Sequence, residues 1–288
     1  MNINFRIINK VTAIYAIEKE LDKIANNNLE FKNLILQLEK LGDLFILGGF
    51  IRDISQGDNF KHHLDGFKSN NNIKDKKFRD IDFITSLDST KLLELVTTYC
   101  SRFKVNHLGG IKIIFADFTM DIWALRNNWA FTKNISNYNI HHKLESLANG
   151  SFLNFDSIVF DFKSKDIYSS LYNKCIRNNT IDIIKTGKAY LKYSKPKSAI
   201  LLRCYFLRTT YKFELSGRLC EYLFEVILSL MQREDSMETS ISKLLSEYPK
   251  YRSGFDWHSY SMFMLYVNFK KNIYIAENAH TVATYNLV

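Results

Sequence analysis

The sequence predicts an α/β (α+β) head with a mixed sheet, followed by an all-helical region that would form a neck and a body. Two observations predict this fold class. Up to about residue 168, short apolar runs and alternating polar and apolar residues, both typical of strands, are interspersed with helical spacing. From about residue 169 the spacing of apolar residues is helical. We therefore predict N-terminal helices over 1–42, the head over 43–168 and the helical region over 169–288.

The first elements of the chain are predicted to be two helices and two strands. Apolar residues recur at helical spacing over 11–41, and the asparagines at 26–28 break the pattern. The apolar run LFIL ends in Gly48-Gly49, as a buried strand entering a tight turn does. Residues 57–78 are polar and aperiodic, which is typical of a loop. The segment RDIDFIT at 79–85 alternates polar and apolar residues, which indicates a half-buried strand.

The remaining elements follow the same patterns. Asp88 or Ser89 can cap a helix that runs through Cys100. The segments FKVNH, GGIKIIF and FTMDIWAL then indicate three strands, with Gly109-Gly110 as a hairpin turn. A short helix near 141–148 and the strand SIVFDF complete the head. The clearest helices of the second region are 199–211, 219–231 and 259–269.

The composition is that of a basic chain with an ordinary share of apolar residues. The chain has 288 residues, 46% of them hydrophobic, and a formal net charge of +9. A basic surface attracts polyanions, which favours a nucleic-acid or phosphate partner, although a basic surface also serves solubility alone. The 4 cysteines form no CxxC pair, the first residues lack a signal-peptide pattern, and no apolar run could span a bilayer. These features predict a cytoplasmic protein without a membrane partner, and they leave the oligomeric state open.

Three aspartates are the candidate catalytic residues. Asp80 and Asp82 are two positions apart on a predicted strand, so their side chains leave the same face. Such a pair suits Mg²⁺, which prefers oxygen ligands, although a solvated strand face carries the same pattern. Asp121, on another predicted strand, could add a third carboxylate, with Asp117 as a rival at the start of that strand. Three carboxylates can hold two metal ions roughly 4 Å apart.

The Gly48-Gly49 pair is a candidate phosphate-binding turn. It follows a buried strand and precedes Phe50-Ile51-Arg52-Asp53, which would open a helix. Glycines let backbone N–H groups approach a phosphate closely, and a helix N-terminus favours an anion. Taken alone, the pair is equally consistent with a plain turn.

Together these segments resemble a known superfamily. LFILGGFIRDIS, FRDIDFIT and the later strand with Asp121 resemble the head domain of DNA polymerase beta-like nucleotidyltransferases. Within that superfamily the sequence is most similar to the class II tRNA nucleotidyltransferase (CCA-adding) and bacterial poly(A) polymerase family, over about residues 43–216. The family pattern is Gly-Gly-x-x-Arg-Asp followed by Asp-x-Asp, and this sequence keeps it at Gly48, Gly49, Arg52, Asp53, Asp80 and Asp82.

The resemblance implies a role for each matched residue. The first four residues of the pattern would bind the NTP, and Asp80, Asp82 and Asp121 would form the catalytic two-metal Mg²⁺ site. The base-recognition motifs diverge, however. The positions of the family's Arg-Arg-Asp fall at 150–152 as Gly-Ser-Phe, and the base-reading Asp and Arg of the neck helix fall at Lys197 and Ile200. Only the last arginine of that helix is kept, as Arg203, which would also bind the NTP.

The leading hypothesis is template-independent transfer of a nucleoside monophosphate from an NTP to a hydroxyl acceptor, with release of pyrophosphate. The acceptor expected from charge and resemblance is an RNA (tRNA-like) 3′ end, and the lysine-rich segment 185–197 could contact its backbone. Two alternatives stay open at this point. One is a toxin or defence enzyme that modifies a protein or a small molecule. The other is a catalytically silent nucleic-acid-binding or scaffold protein.

Overall fold

The computed structural model describes residues 5–56, 80–107, 109–128, 131, 138–185, 197–232 and 236–285. These residues fall into two compact units, which span 5–176 and 177–285. The first unit contains a mixed seven-stranded sheet with helices, and the second is mainly helical, so the predicted fold class is confirmed. The predicted loop at 57–78 and most of the lysine-rich segment at 185–197 lie outside the described residues.

The elements of the first unit alternate between helices and strands. Its helices are α1 (Lys10–Asn27), α2 (Leu29–Leu41), α3 (Gly49–Ser55), α4 (Ser89–Tyr99), α5 (Lys143–Asn149) and α6 (Ser170–Arg177). Its strands are β1 (Leu44–Leu47), β2 (Ile81–Thr85), β3 (Phe103–Val105), β4 (Ile111–Ile114), β5 (Thr119–Ala124), β6 (Val159–Asp161) and β7 (Asp166–Tyr168). Short 3₁₀ helices occupy Leu125–Asn127, Ile140–His142 and Asn154–Asp156.

Local capping chemistry sets the helix boundaries near the N-terminus. The predicted break between the first two helices falls at Asn28, whose side chain accepts a hydrogen bond from the backbone N–H of Phe31 at 2.9 Å. An asparagine in this position satisfies a backbone donor that the first turn of a helix leaves open. Asp88 caps α4 in the same way, by accepting from the N–H of Lys91 at 2.9 Å.

The sheet has the strand order β3-β4-β5-β2-β1-β6-β7. The β2–β5 pair is parallel, and the other pairs in this sheet are antiparallel. The parallel pairing places Asp82 opposite Asp121. The hairpin predicted at Gly109-Gly110 joins β3 to β4, and Gly109 has a φ of +83°, in the left-handed region that glycine adopts at little cost.

One face of the sheet is covered by helices. The side chains on this face are almost completely buried, and they include Ile46, Phe83 and Ile122, each at 0% exposure. Phe31 of α2 packs edge-on against Phe83, with 6.3 Å between the ring centroids. Alternation along the strands therefore directs every second side chain into this core and the intervening ones to the opposite face.

The opposite face is covered at one end only by the elements described. A second cluster of buried residues lies there, formed by Phe45 and Ile84 of the sheet, Val159, and Leu147 and Ala148 of α5. Towards the start of β2, the same face carries acidic and basic side chains instead of apolar ones. The first unit thus has one fully packed face, and one face on which a packed end adjoins a charged end.

The described residues of the second unit form mainly four helices. They are α7 (Lys197–Tyr211), α8 (Gly217–Met231), α9 (Met237–Glu247) and α10 (Trp257–Tyr285), with a 3₁₀ segment at Pro249–Gly254. Tyr205 of α7 lies within 5.6 Å, between ring centroids, of Phe255, Tyr260 and Phe263. These rings pack α10 against α7. In the ranges that the structure describes, no helix is long and apolar enough to cross a membrane.

The second unit also departs from the all-helical prediction. Two short strands, β8 (Thr180–Ile181) and β9 (Glu214–Leu215), form a parallel pair there. Strands of two residues are too short to show the alternation of polar and apolar residues by which strands are predicted. The helical spacing around them therefore led to the all-helical prediction.

Candidate active site

The charged end of the sheet face is a row of side chains on three neighbouring strands. Asp82 on β2 pairs with Asp121 on β5, and Asp121 pairs in turn with Lys112 on β4. Residues that pair across adjacent strands project from the same face, and the strands lie about 4.8 Å apart. The topology therefore brings two aspartates and a lysine together, although 39 positions of sequence separate Asp82 from Asp121.

Asp80 joins this row from the end of the neighbouring strand. It directly precedes β2, and its carboxylate accepts a hydrogen bond from the hydroxyl of Thr119, the buried first residue of β5. The Asp80 side chain is 53% exposed and that of Asp121 is 23% exposed. Asp82 is exposed as well. Asp80 thus lies just before β2, Asp82 within β2 and Asp121 within β5. All three carboxylates are accessible from solvent.

Lys112 bridges two of these carboxylates. Its Nζ lies 3.1 Å from Oδ2 of Asp80 and 3.1 Å from Oδ2 of Asp121. Burial alone would lower the pKa of Lys112, but the hydrogen bonds from its ammonium to these carboxylates and their negative charges outweigh burial and raise it. The position between Asp80 and Asp121 therefore stabilises a positive charge.

The chemistry of this donor set fits a magnesium ion. Mg²⁺ takes carboxylate oxygens as ligands and usually needs only one or two from the protein. The ammonium of Lys112 demonstrates that a cation is held between Asp80 and Asp121. Among the described residues, no three His, Cys, Asp or Glu side chains are gathered closely enough to hold a metal. The assignment of Asp80, Asp82 and Asp121 as metal ligands stays a prediction.

The rival carboxylate lies away from the strand. Asp117 is exposed, in the turn 115–118 that connects β4 to β5. The N–H of Phe115 donates to the carbonyl of Phe118 across this turn, at 3.0 Å. Asp117 therefore precedes β5 and has no partner in the β2–β5 register, whereas Asp121 does.

The glycine turn lies next to the row of charges. Leu47, the last residue of β1, pairs with Asp82, and the chain turns at Gly48 into α3. Gly48 has a φ of +65°, and its N–H donates to the carbonyl of Ile158 at 2.9 Å. A residue with a β-carbon is strained in that conformation, so the turn requires glycine. Gly48 is buried and Gly49 is half-buried, so the turn is only partly accessible beside the carboxylates.

Arg52 does not face solvent. It is 2% exposed, and its Nε and Nη2 donate to Oδ1 of Asp53 at 2.9 and 2.8 Å. Its Nη1 lies 3.3 Å from Oδ1 of Asp156, and its guanidinium lies 4.7 Å from the ring centroid of Phe155. Arg52 therefore ties α3 to the segment 154–156, whose Asp156 carbonyl lies 3.6 Å from where a β-carbon on Gly48 would be. NTP binding by Arg52 and Asp53 stays a prediction, and the geometry indicates that Arg52 positions the turn.

The remaining predicted NTP-binding residue is in the other unit. Arg203 lies on α7, where its side chain is half-buried, and its role stays a prediction. Its neighbour Ile200 is 5% exposed. In the first unit, Phe152, at the position of the family's Arg-Arg-Asp, is 7% exposed and packs in the core. Two of the divergent positions are thus occupied by buried apolar side chains.

Two residues of the site, Lys112 and Asp156, were not predicted from the sequence. Lys112 is the one charged residue within the apolar strand IKII, which is a signal that could have singled it out. Asp156 precedes the apolar strand β6, but nothing near it in the sequence indicates that its partner is Arg52.

Comparison with known proteins identifies the fold. No family model and no curated protein matches the chain. A solved CCA-adding enzyme in complex with CTP has a TM-score of 0.57 at 13% identity, covering 92% of this chain and 56% of that one. A CCA-adding enzyme in apo form gives 0.52 at 14% identity, covering 84% of this chain and 51% of that one. A complex of such an enzyme with ATP gives 0.51 at 15% identity, with the same two coverages of 84% and 51%.

The chain therefore has the fold of the solved CCA-adding enzymes, as the resemblance in its sequence predicted. It spans about half the length of those structures. At these identities the likeness shows the fold alone.

Proposed function

We propose that the protein is a Mg²⁺-dependent nucleotidyltransferase, which transfers a nucleoside monophosphate from an NTP to a hydroxyl group and releases pyrophosphate. One observation carries the proposal. Asp82 and Asp121 pair directly across two parallel strands, with Asp80 bridged to Asp121 by a cation, on the charged end of a sheet that has the CCA-adding fold. The Gly48 turn adjoins this row through the Leu47–Asp82 pair.

The residues of the site have distinct tasks in this proposal. Asp80, Asp82 and Asp121 would supply the carboxylates for magnesium, which usually takes only one or two from the protein at a time. Magnesium would supply positive charge to the phosphates and favour ionisation of the attacking hydroxyl. The turn would receive the triphosphate at Gly49, because the N–H of Gly48 already donates to the carbonyl of Ile158 and Gly49 is the more exposed of the two glycines. Positioning of the two reactants accounts for much of the rate of such a transfer.

The proposed acceptor is the 3′ end of an RNA. The formal net charge of +9 suits a partner with a phosphate backbone. The nucleotide added need not be the one that the CCA-adding enzymes select. At the two base-reading positions of the family this chain has Lys197 and Ile200, and Ile200 is buried, so it offers no hydrogen-bonding edge to a base. The same observation supports the second candidate, a transferase of this type that modifies another acceptor, a protein or a small molecule.

A silent scaffold is the third candidate, and Lys112 is the observation that favours it. Carboxylates that repel one another are seldom retained without a cation between them. Here the ammonium of Lys112 already lies between Asp80 and Asp121. The acidic residues can therefore be accommodated without a metal ion, as a scaffold would require.

The test is incorporation of each of the four labelled NTPs into total RNA in the presence of magnesium. Wild type is compared with Asp82→Asn and with Asp117→Asn, a matched control that removes the same charge from an exposed turn. We expect labelled RNA with wild type and Asp117→Asn, and a loss of at least about 100-fold with Asp82→Asn, as is typical when a group that stabilises the transition state is removed. Pyrophosphate release without labelled RNA, seen only when cell extract is added, supports the other acceptors. Absence of both signals in wild type refutes the enzyme and leaves the scaffold.

A further inference from the structure

The position of Lys112 in the sheet directs its side chain towards the carboxylates. It lies on β4, an internal strand, in register with Asp121, and its neighbours Ile111 and Ile113 are buried on the other face. The strand direction therefore fixes its side chain on the face that carries the carboxylates. Its ammonium reaches Asp80 and Asp121 at equal distances of 3.1 Å, while 41% of the side chain is exposed.

This ammonium and a divalent ion compete for the same oxygens. A magnesium ion binds carboxylate oxygens at about 2.0–2.1 Å. If it shared Oδ2 of Asp80 and Oδ2 of Asp121 with the ammonium, the two cations would stand roughly 4 Å apart. Even with the dielectric constant of water, charges of +1 and +2 at that distance weaken binding by about tenfold or more. Lysine has a flexible four-carbon stem and a compact charge, so its head can move to solvent while its stem stays on the sheet.

We propose that Lys112 is a displaceable counter-cation of the site. In the metal-free protein its ammonium holds Asp80 and Asp121 together, and a divalent ion binds there only after displacing it. The inference rests on the metal site of the proposed function. It follows that the charge of the metal-free carboxylates is partly neutralised and that they are kept near each other. A divalent ion alone then binds more weakly than it would to the same carboxylates without the lysine. A displaced ammonium stays on the same sheet face, within reach of a phosphate that arrives with the metal.

The experiment measures binding of Mn²⁺, as a spectroscopic substitute for Mg²⁺, to the full chain without nucleotide, by electron paramagnetic resonance of the free ion. Wild type is compared with Lys112→Met, which keeps a stem of similar length. The matched control is Lys104→Met. Lys104 is exposed on β3 and pairs with Lys112 in register, so the same charge is removed one strand farther from the carboxylates.

We expect Lys112→Met to bind Mn²⁺ roughly tenfold more tightly than wild type, because the competing charge is absent. Lys104→Met should change the affinity by less than about threefold, since an exposed charge at that distance is partly screened. Thermal unfolding gives a second readout, because without metal Lys112→Met should melt at a lower temperature than wild type. Saturating Mn²⁺ should then raise its melting temperature by more than it raises that of wild type, as expected of a ligand that binds the folded state more tightly.

Three results would overturn the proposal. Binding of Mn²⁺ to wild type that is unchanged or weakened in Lys112→Met would overturn the role of Lys112 and leave the metal site standing. An equal gain in Mn²⁺ affinity in Lys104→Met would show that the effect comes from the overall positive charge of the surface and not from the position of Lys112. A lack of Mn²⁺ binding by wild type and Lys112→Met, both folded by circular dichroism, would overturn the metal site itself and the inference with it.

Discussion

Replacing Arg52 by methionine should destabilise the first unit substantially. The change removes the guanidinium of a residue that is 2% exposed, and it leaves the carboxylates of Asp53 and Asp156 without their shared cation. Breaking a buried ion pair by removing one partner costs about 3–5 kcal/mol, and the lost contact with the Phe155 ring adds up to roughly 1 kcal/mol. The side chains of Asp53 and Asp156 are 15% and 28% exposed, so water recovers part of this cost. We therefore expect a loss of about 3 kcal/mol in the free energy of unfolding.

Urea unfolding measures this loss, and hydrogen exchange over α3 locates it. Two compact units need not unfold in one transition, so the shift is read from the transition in which the α3 amides lose protection. Arg52→Lys is the matched control, because it keeps the charge but cannot make the paired bonds from Nε and Nη2 to Asp53. It should fall between wild type and Arg52→Met. A loss below about 1 kcal/mol in Arg52→Met, or protection of α3 that does not change, would refute the view that Arg52 holds the turn.

The other predictions concern packing and thiol chemistry. In Gly110→Ala the new β-carbon would lie 2.5 Å from the Trp123 ring, so the ring or the strand must shift at a cost of about 1–3 kcal/mol, measured by urea unfolding and a change in tryptophan fluorescence. In Gly48→Ala the space is sufficient, but the φ of +65° should cost about 1–2 kcal/mol and weaken NTP binding, so a variant as stable as wild type would contradict the required turn. Burial raises the pKa of Cys100 and of Cys220 to about 12, so both stay protonated at pH 8 and should react with a thiol reagent only after unfolding. Rapid reaction of either thiol in the native protein would show that its surroundings open to solvent.

The elements that the sequence predicted well are those whose signals are local. The break at Asn28, the cap at Asp88 and the Gly109 turn each depend on a side chain or a glycine that acts within a few residues. The row of carboxylates was predicted from alternation along two strands. The structure adds the register, since Asp82 and Asp121 are direct partners in a parallel pair, which alternation alone does not determine.

The features that escaped prediction depend on contacts between distant segments. The role of Lys112 requires the pairing of β4 with β5 and an extended side chain, neither of which the sequence specifies. Arg52 stands in a motif that resembles a phosphate-binding element, but its side chain is buried and contacts Asp156, which lies 104 positions away. The burial of Arg52 shows that a match to a sequence motif predicts where a side chain lies in the fold better than it predicts whether that side chain is exposed.

The position of Asp82 in the sheet has a mechanical consequence. Its strand, β2, is fourth in an order of seven, with three strands on either side. The edge strands β3 and β7 have three residues each, and an edge strand loses its hydrogen bonds to water far more readily than a central one. Fraying at either edge, or the addition of another chain there, leaves the β2–β5 pairing intact. Changes at the edges of the domain, where sequence change is tolerated most, therefore do not alter the separation between Asp82 and Asp121.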